Sequence, residues 1–543
     1  MKNKILMALA LLVAFTSCGI NSADAHHQDD ITRGSNDPQI SVGGSTAYIV
    51  WNESIGQDSN DVYFTKVTDG KPVGDPTNIT NGIGYYPTTF IHTNQNNVYL
   101  LWEDRQSSNG DDEMYFAKSN DFGEKFSKPI KLDPVDDDRT VYRPSSILQA
   151  NDILYVFGQY WNRDTQQSNF IFIKSDDFGK TFSEPVLLFN HEQSDQDMIT
   201  ELHDDVIYIL SDDRKNYDED GSLYLRKILS DGTLTDLVNV NEGKTSVTHP
   251  QFAVSGDNVY VSWRERVFEK TNDGIHERWY QVFAKSHDGG NEFGDVMRFD
   301  SDPNSIDTVG VDGDFVLAIG DSVYVFWESQ YWDGETQESQ IFLAYSQSNG
   351  KDFEVAPAKM DEKISEHGII LSHTQGNELR QIAITEKNPP YNDAAVYYAG
   401  IKNHVMQQPI DILEGIQTQV GWIPKLVSDD DYIHFVAEAG TNDNCILYSF
   451  SENGGESFDN VINLSPNGDD HECLGISPDT QSPLKQVSDG IAYHDVKCRE
   501  DRSAGYILSL RERDGLPVCV STTSYDDLIN ADGWQKTGRR CFR

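Results

Sequence analysis

Five prolines spaced along the chain are each preceded by residues able to contact a ligand. Asp37, Tyr86, Arg143, His249 and Ile423 stand immediately before them, and Asn36, Tyr85, Tyr142, Thr248 and Trp422 one position earlier. Three tyrosines, a tryptophan, an arginine and a histidine brought to one place would suit stacking against sugar rings or holding an anion. The ligand-binding candidates are therefore Tyr85, Tyr86, Tyr142, Arg143, His249 and Trp422. A second set is acidic: Glu53, Asp104, Glu265 and Glu328 follow closely on short apolar runs. Cleavage of a glycosidic bond needs two carboxyl groups roughly 5–10 Å apart. The 88 acidic residues make such pairs common by chance, so no catalytic residue is assigned. No His-Glu-x-x-His, Gly-x-Ser-x-Gly or phosphate-loop sequence occurs.

The elements that must position these residues repeat. A short strand, often entered through the proline, is followed by a second one signed Tyr-x-x-Trp or a relative: Tyr48–Trp51, Tyr99–Trp102, Tyr155–Gly158, Tyr208–Ser211, Tyr260–Trp263, Tyr324–Trp327, a weak copy at Gln381–Thr385, and Ile433–Val436. A third and a fourth short strand complete each unit. β-Branched and aromatic strands joined by Gly, Asn and Asp turns form small sheets that cannot cover both faces alone, so neighbours must stack radially. The expected fold is all-β, a propeller of four-stranded blades, eight favoured and seven or six left open. The start of each innermost strand would line the mouth of the central channel.

The third strand runs into a motif, Ser-x-(Asp/Asn)-x-Gly-x-x-Phe, at Ser119–Phe126, Ser175–Phe182, Ser286–Phe293, Ser346–Phe353 and Ser451–Phe458. Here the acid or amide can accept backbone N–H groups, glycine takes a positive φ and phenylalanine plugs an apolar layer. Asp121, Asp177, Asp288, Asn349 and Asn453 are accordingly read as structural turn residues, and the tryptophans as packing between blades. On these five motifs the chain resembles the sialidase-like, Asp-box (BNR repeat) β-propeller superfamily. In that superfamily the boxes lie on the outer rim, away from the active face, and members include sialidases, other glycosidases and lyases. The resemblance implies, for a true sialidase, three arginines on the substrate carboxylate, a tyrosine nucleophile paired with a glutamate, and an aspartate acid/base. Tyr142-Arg143-Pro144 resembles the Arg-Ile-Pro element without its isoleucine and arrives in the third unit. Arg264 and Arg380 could substitute only if their strands reach the active face. The catalytic set is not carried over.

The ends and the charge bound the setting. Met1–Lys4 and the apolar run Ile5–Phe15 read as a signal peptide over residues 1–25, too short for a membrane span. Phe15-Thr16-Ser17-Cys18 leaves a lipid anchor at Cys18 open. The propeller is expected over residues 33–483 and a small cysteine-containing extension over 484–543. In that extension Gly515–Val520, Leu528 and Gly533-Trp534 resemble a short tail of secreted archaeal surface proteins. A formal charge of -45 excludes nucleic acid as a partner. Cys445, Cys473, Cys498, Cys519 and Cys541 predict one or two disulfides near the C-terminus. Sequons stand at Asn52, Asn78 and Asn463. No cofactor is called for with certainty; calcium is left open by acidic loops such as Asp136–Asp138 and Asp429–Asp431. The expected protein is extracellular or in the cell envelope. It is read as a non-catalytic propeller binding a glycan or an envelope protein, the alternative being a sialidase-like glycoside hydrolase or lyase acting on acidic glycans.

Overall fold

A computed structural model describes residues 33–466, apart from connecting stretches, together with Cys473 and three strands beyond residue 505. Every named element is a strand. The strands fall into antiparallel sheets whose order follows the chain. We number them I (residues 33–78), II (89–131), III (140–191), IV (198–239), V (248–299), VI (308–357), VII (368–411) and VIII (425–463). Sheet V shows the pattern: Thr248–Ser255, Asn258–Lys270, Ile275–Ser286 and Met297–Phe299 pair in succession. Asn151-Asp152 and Asp204-Asp205 both take left-handed φ, the demand of a two-residue hairpin turn between twisted strands. Tyr506–Arg511, Pro517–Ser521 and Trp534–Arg540 form a separate three-stranded sheet.

Alternation along each second strand sends apolar side chains to both faces of the sheet, so the core is divided between neighbours. Ala47, Ile49 and Trp51 pack with Val436, Ile446 and Tyr448 of sheet VIII, while Tyr48 and Val50 pack with Val98, Leu100 and Trp102 of sheet II. The pattern continues from II to III, III to IV, IV to V, V to VI and VII to VIII. Trp51, Trp102, Trp263 and Trp327 are fully buried in these layers. They are packing residues, as their position in the repeat implied.

The glycine-turn motifs lock one sheet to the next. Asp121 Oδ1 accepts the Ser119 hydroxyl at 2.7 Å and the Lys125 N–H at 2.9 Å, and the Gly123 N–H donates to Ser119 Oγ at 2.9 Å. Asp177, Asp288 and Asn453 repeat this geometry. In the fourth copy Ser348, not Asn349, takes the acid's place: its Oγ accepts the Asp352 N–H at 3.1 Å. Asn349 instead occupies the next position, with φ 54. The reason is spacing, since the third residue of that motif is Ser348. Four of the five motif phenylalanines meet an aromatic ring of the preceding sheet edge-on, such as Phe126 on Phe64 at 4.8 Å and Phe458 on Tyr398 at 5.2 Å, while Phe293 packs on the hydrophobic core between sheets IV and V. Lysines of the preceding third strand reach over as well; Lys285 Nζ donates to Gly350 O at 2.8 Å.

Sheets I and VIII are joined directly, with Arg33 and Gly34 pairing in parallel with Asp443 and Asn444. His434, buried and held neutral by burial, bridges them. Its Nε2 donates to Gly44 O at 3.1 Å and its Nδ1 accepts the Tyr448 hydroxyl at 2.7 Å. A Cys445–Cys473 disulfide, with Cα atoms 5.5 Å apart, fastens the third strand of sheet VIII.

Two glycines separate backbone freedom from packing. Gly44 and Gly455 have φ of 60 and 84, but a Cβ meets nothing near Gly44 and collides with the buried Tyr398 ring at Gly455. Gly44→Ala should cost about 1 kcal/mol, and Gly455→Ala a further 1–3 kcal/mol or so from overpacking. Urea unfolding of the two variants checks the ordering.

Candidate active site

Register separates the two ends of every sheet. In sheet III Leu154 pairs with Ser175, which puts the motif turn beside the Asn151-Asp152 hairpin, while Thr140, Asn162 and Gln167 pair at the opposite end. Residues before the prolines and residues after the Tyr-x-x-Trp signatures thus share one end, and the motif turns the other. At the shared end the first strands are irregular. Their pairing slips between Asn36 and Gln39, between Pro144 and Ser146, and between Thr248 and Gln251. Proline has no N–H for the ladder, and a bulge there re-aims the neighbouring side chains. Asp37 and His249 sit at these bulges with φ of 50 and 49, a left-handed conformation uncommon outside glycine.

The sequence candidates divide accordingly. Arg143 is exposed and pairs with Gln159, and His249 is half-buried, both at this end. Tyr142 lies on the same strand as Arg143, opposite Tyr160. Tyr85, Tyr86 and Trp422 lie outside the described residues, as do Asp136–Asp138. Arg264 is buried on the second strand of sheet V, opposite Gln281 in the ladder.

A carboxyl pair lies at the join of sheets I and VIII. The Asp37 backbone N–H donates to Glu438 Oε2 at 3.2 Å, and Gln39 Nε2 donates to Asp37 Oδ1 at 2.9 Å. Burial raises the Asp37 carboxyl above its ordinary range, against the opposing charge of Lys425. Burial, with the Asp37 charge beside it, lifts Glu438 to about 6. Both residues keep partial solvent exposure. This is an environment in which Glu438 keeps its proton up to about pH 6, above the range of an ordinary glutamate, as a general acid requires.

The acids singled out from sequence are otherwise engaged. Glu53 Oε2 accepts Trp51 Nε1 at 3.1 Å and the Ser35 hydroxyl. Glu265 receives a two-pronged contact from Arg298, with Nη2 3.0 Å from Oε1. Both are anchors. Asp104 and Glu328 are buried. Glu438 escaped the reading because its signature, Ile433–Val436, lacks the tyrosine and tryptophan; an acid two places beyond the signature, as at Glu53, Asp104 and Glu265, was the available signal. Among the described residues no group of three or more His, Cys, Asp or Glu is placed to hold a metal. Asp429 Oδ2 takes the Gly44 N–H at 2.6 Å instead. Asn52, a sequon residue, is buried and cannot carry a glycan in the folded chain.

Compared with protein-family models and with curated protein sequences, the chain matches none. Solved structures that align with it include an α-L-arabinanase of Penicillium chrysogenum in complex with arabinobiose. That pair is 11% identical over 69% of this chain and 92% of the other, with a TM-score of 0.36. The polysaccharide lyase Uly1 aligns at 12% identity over 68% and 91%, TM-score 0.40. A polysaccharide lyase described as PL25 ulvan lyase aligns at 11% identity over 80% and 96%, TM-score 0.42. The expectation of a non-catalytic binding propeller is at odds with this finding, since the aligned structures are described as an arabinanase and polysaccharide lyases. The alignments are loose and give no residue of this chain a role. No comparison supports the archaeal resemblance of the tail. Among the described residues no helix is long and apolar enough to cross a membrane.

The raised Glu438 makes stability depend on pH with a definite sign. The folded chain holds that proton more tightly than the unfolded one, whose glutamate titrates near 4.5. The contribution is present in full below about 4.5 and is lost as pH rises through about 6, an effect of about 2 kcal/mol. Unfolding free energies of Glu438→Gln, measured across this interval, should lack that decline.

Proposed function

We propose that this chain is an exported, glycan-cleaving enzyme of the sialidase-like Asp-box type, a hydrolase or a lyase. The observation that carries the reading is the Asp37–Glu438 pair, two partly exposed carboxyls on a bulged backbone at the end of the sheets opposite the motif turns. The architecture in this proposal is an eight-bladed ring. It is supported by the first strands lying against one another in chain order, the last against the first, and by the pairing of sheets I and VIII. The segment 1–25 would direct export to the cell envelope or beyond, with Cys18 as a point of lipid attachment to be tested, and residues 484–543 would form an appended extension.

In the hydrolytic form Glu438 gives its proton to the glycosidic oxygen as the C–O bond breaks. Water adds to the sugar carbon and yields its proton to Asp37. In the eliminative form one carboxylate removes the proton beside a uronate carboxyl while Glu438 protonates the leaving oxygen. In both, the proton on Glu438 is consumed in the bond-breaking step and activity falls as pH rises beyond about 6.

The test is digestion of a panel of plant and algal polysaccharides, following new reducing ends and unsaturated products together. Glu438→Gln and Asp37→Asn should each lose about 10²–10⁴-fold in kcat/KM while keeping the far-ultraviolet spectrum of the parent. Reducing ends alone identify a hydrolase, and matched unsaturated ends a lyase. A folded Glu438→Gln chain that still cleaves within a few-fold of the parent sinks the proposal.

A further inference from the structure

The longest hairpin of the chain is that of sheet V, Asn258–Lys270 with Ile275–Ser286, and its ladder runs without a register shift. Strict alternation therefore sorts its outer residues by face. Arg264, Arg266, Phe268 and Lys270 fall on one face, with Trp279 opposite Arg266 and Glu277 opposite Phe268. Glu265, Val267 and Glu269 fall on the other, with Arg278 opposite Val267. The first face is the one whose inner residue, Tyr260, packs against sheet VI. Beyond that packed layer the face comes to the surface: Phe268 is 62% exposed, Lys270 is exposed, and Arg266 and Trp279 are half-buried. The Arg266 guanidinium lies 5.3 Å from the Phe268 ring centre and 5.8 Å from that of Trp279.

We infer that this face is a binding surface for an anionic polysaccharide, one bearing uronate carboxylates or sulfate esters. A chain of net charge -45 repels polyanions over most of its surface. On this face Arg266 and Lys270 come to the surface, outward of the buried Arg264. Side chains two apart on one face recur about every 6.6–6.8 Å, so Arg266 and Lys270, with Phe268 between them, stand about 13 Å apart along the strand, which suits a linear polyanion better than a compact anion. Phe268 and Trp279 offer planar surfaces to sugar rings, with a guanidinium between them able to pair with a carboxylate or sulfate. The hairpin projects at the Asp37–Glu438 end of the sheets. The inference thus deepens the glycan-cleaving reading and rests on it for the class of ligand.

The experiment is calorimetric titration of full-length Glu438→Gln, so that turnover is blocked. The probes are an oligogalacturonate, a heparin-derived oligosaccharide and cellohexaose. The two anionic probes should bind, more weakly as salt rises, and the neutral one should not. Arg266→Ala and Phe268→Ala should each weaken binding by about tenfold, with melting temperatures unchanged. Arg278→Ala, on the opposite face, should leave it as it was. The inference is overturned if cellohexaose binds equally well, if Arg266→Ala binds like the parent, or if a polyglutamate peptide binds better than either anionic glycan, which would give the face to an acidic protein. Loss of binding in Arg266→Ala beside undiminished cleavage by Glu438→Gln would keep this surface and remove the catalytic pair alone.

Discussion

A four-stranded sheet with apolar residues on both faces has no stable existence by itself, and everything else in this molecule follows from how that is met. Each second strand divides its side chains between two neighbours, as Tyr48 and Val50 do toward sheet II while Ile49 and Trp51 turn to sheet VIII. The demand is also what brings the first and last sheets together, because the outer faces of both would otherwise be bare. The Arg33–Asp443 pairing, the His434 bridge to Gly44 and the Cys445–Cys473 bond are all found at that join.

The two ends of the sheets are built to different standards. At the motif end the turns are closed by serine hydroxyls, carboxylates and glycine N–H groups, and lysines of the preceding sheet cap them. Aspartates there are held below the usual carboxylate range by the hydrogen bonds they accept. At the other end the ladders slip, Asp37 and His249 adopt left-handed backbone, and Asp37 and Glu438 are raised by burial. A rigid end of this kind lets the opposite one carry strain and displaced protonation without unravelling. Glu53 and Glu265, held by Trp51, Ser35 and Arg298, are the posts between the two regimes.

The join between sheets I and VIII is also where the candidate chemistry sits. Asp37 belongs to the first strand of the chain and Glu438 lies about four hundred residues later. Asp37 precedes one of the five prolines and Glu438 follows the Ile433–Val436 signature, but nothing local to either sets them side by side. The same contact between sheets I and VIII that covers their outer faces sets one carboxyl beside the other, so an interface required for stability supplies the electrostatic coupling that a general acid needs.

Local pattern made the repeat legible. Period-two apolar alternation, the Tyr-x-x-Trp signatures and the glycine turns each act within a few residues, and the sheets, the buried tryptophans and the turn hydrogen bonds agree with them. Where local spacing was misread, as at Asn349 for Ser348, the error was of one position. The site was different. Glu53 and Glu265 looked like free acids, and only their partners reveal them as anchors; Glu438 looked like one acid among 88. Composition cannot rank those acids, because a carboxyl's proton affinity is set by the water it loses and the charges beside it. Those are fixed by residues distant in the chain, and by nothing short of the tertiary fold.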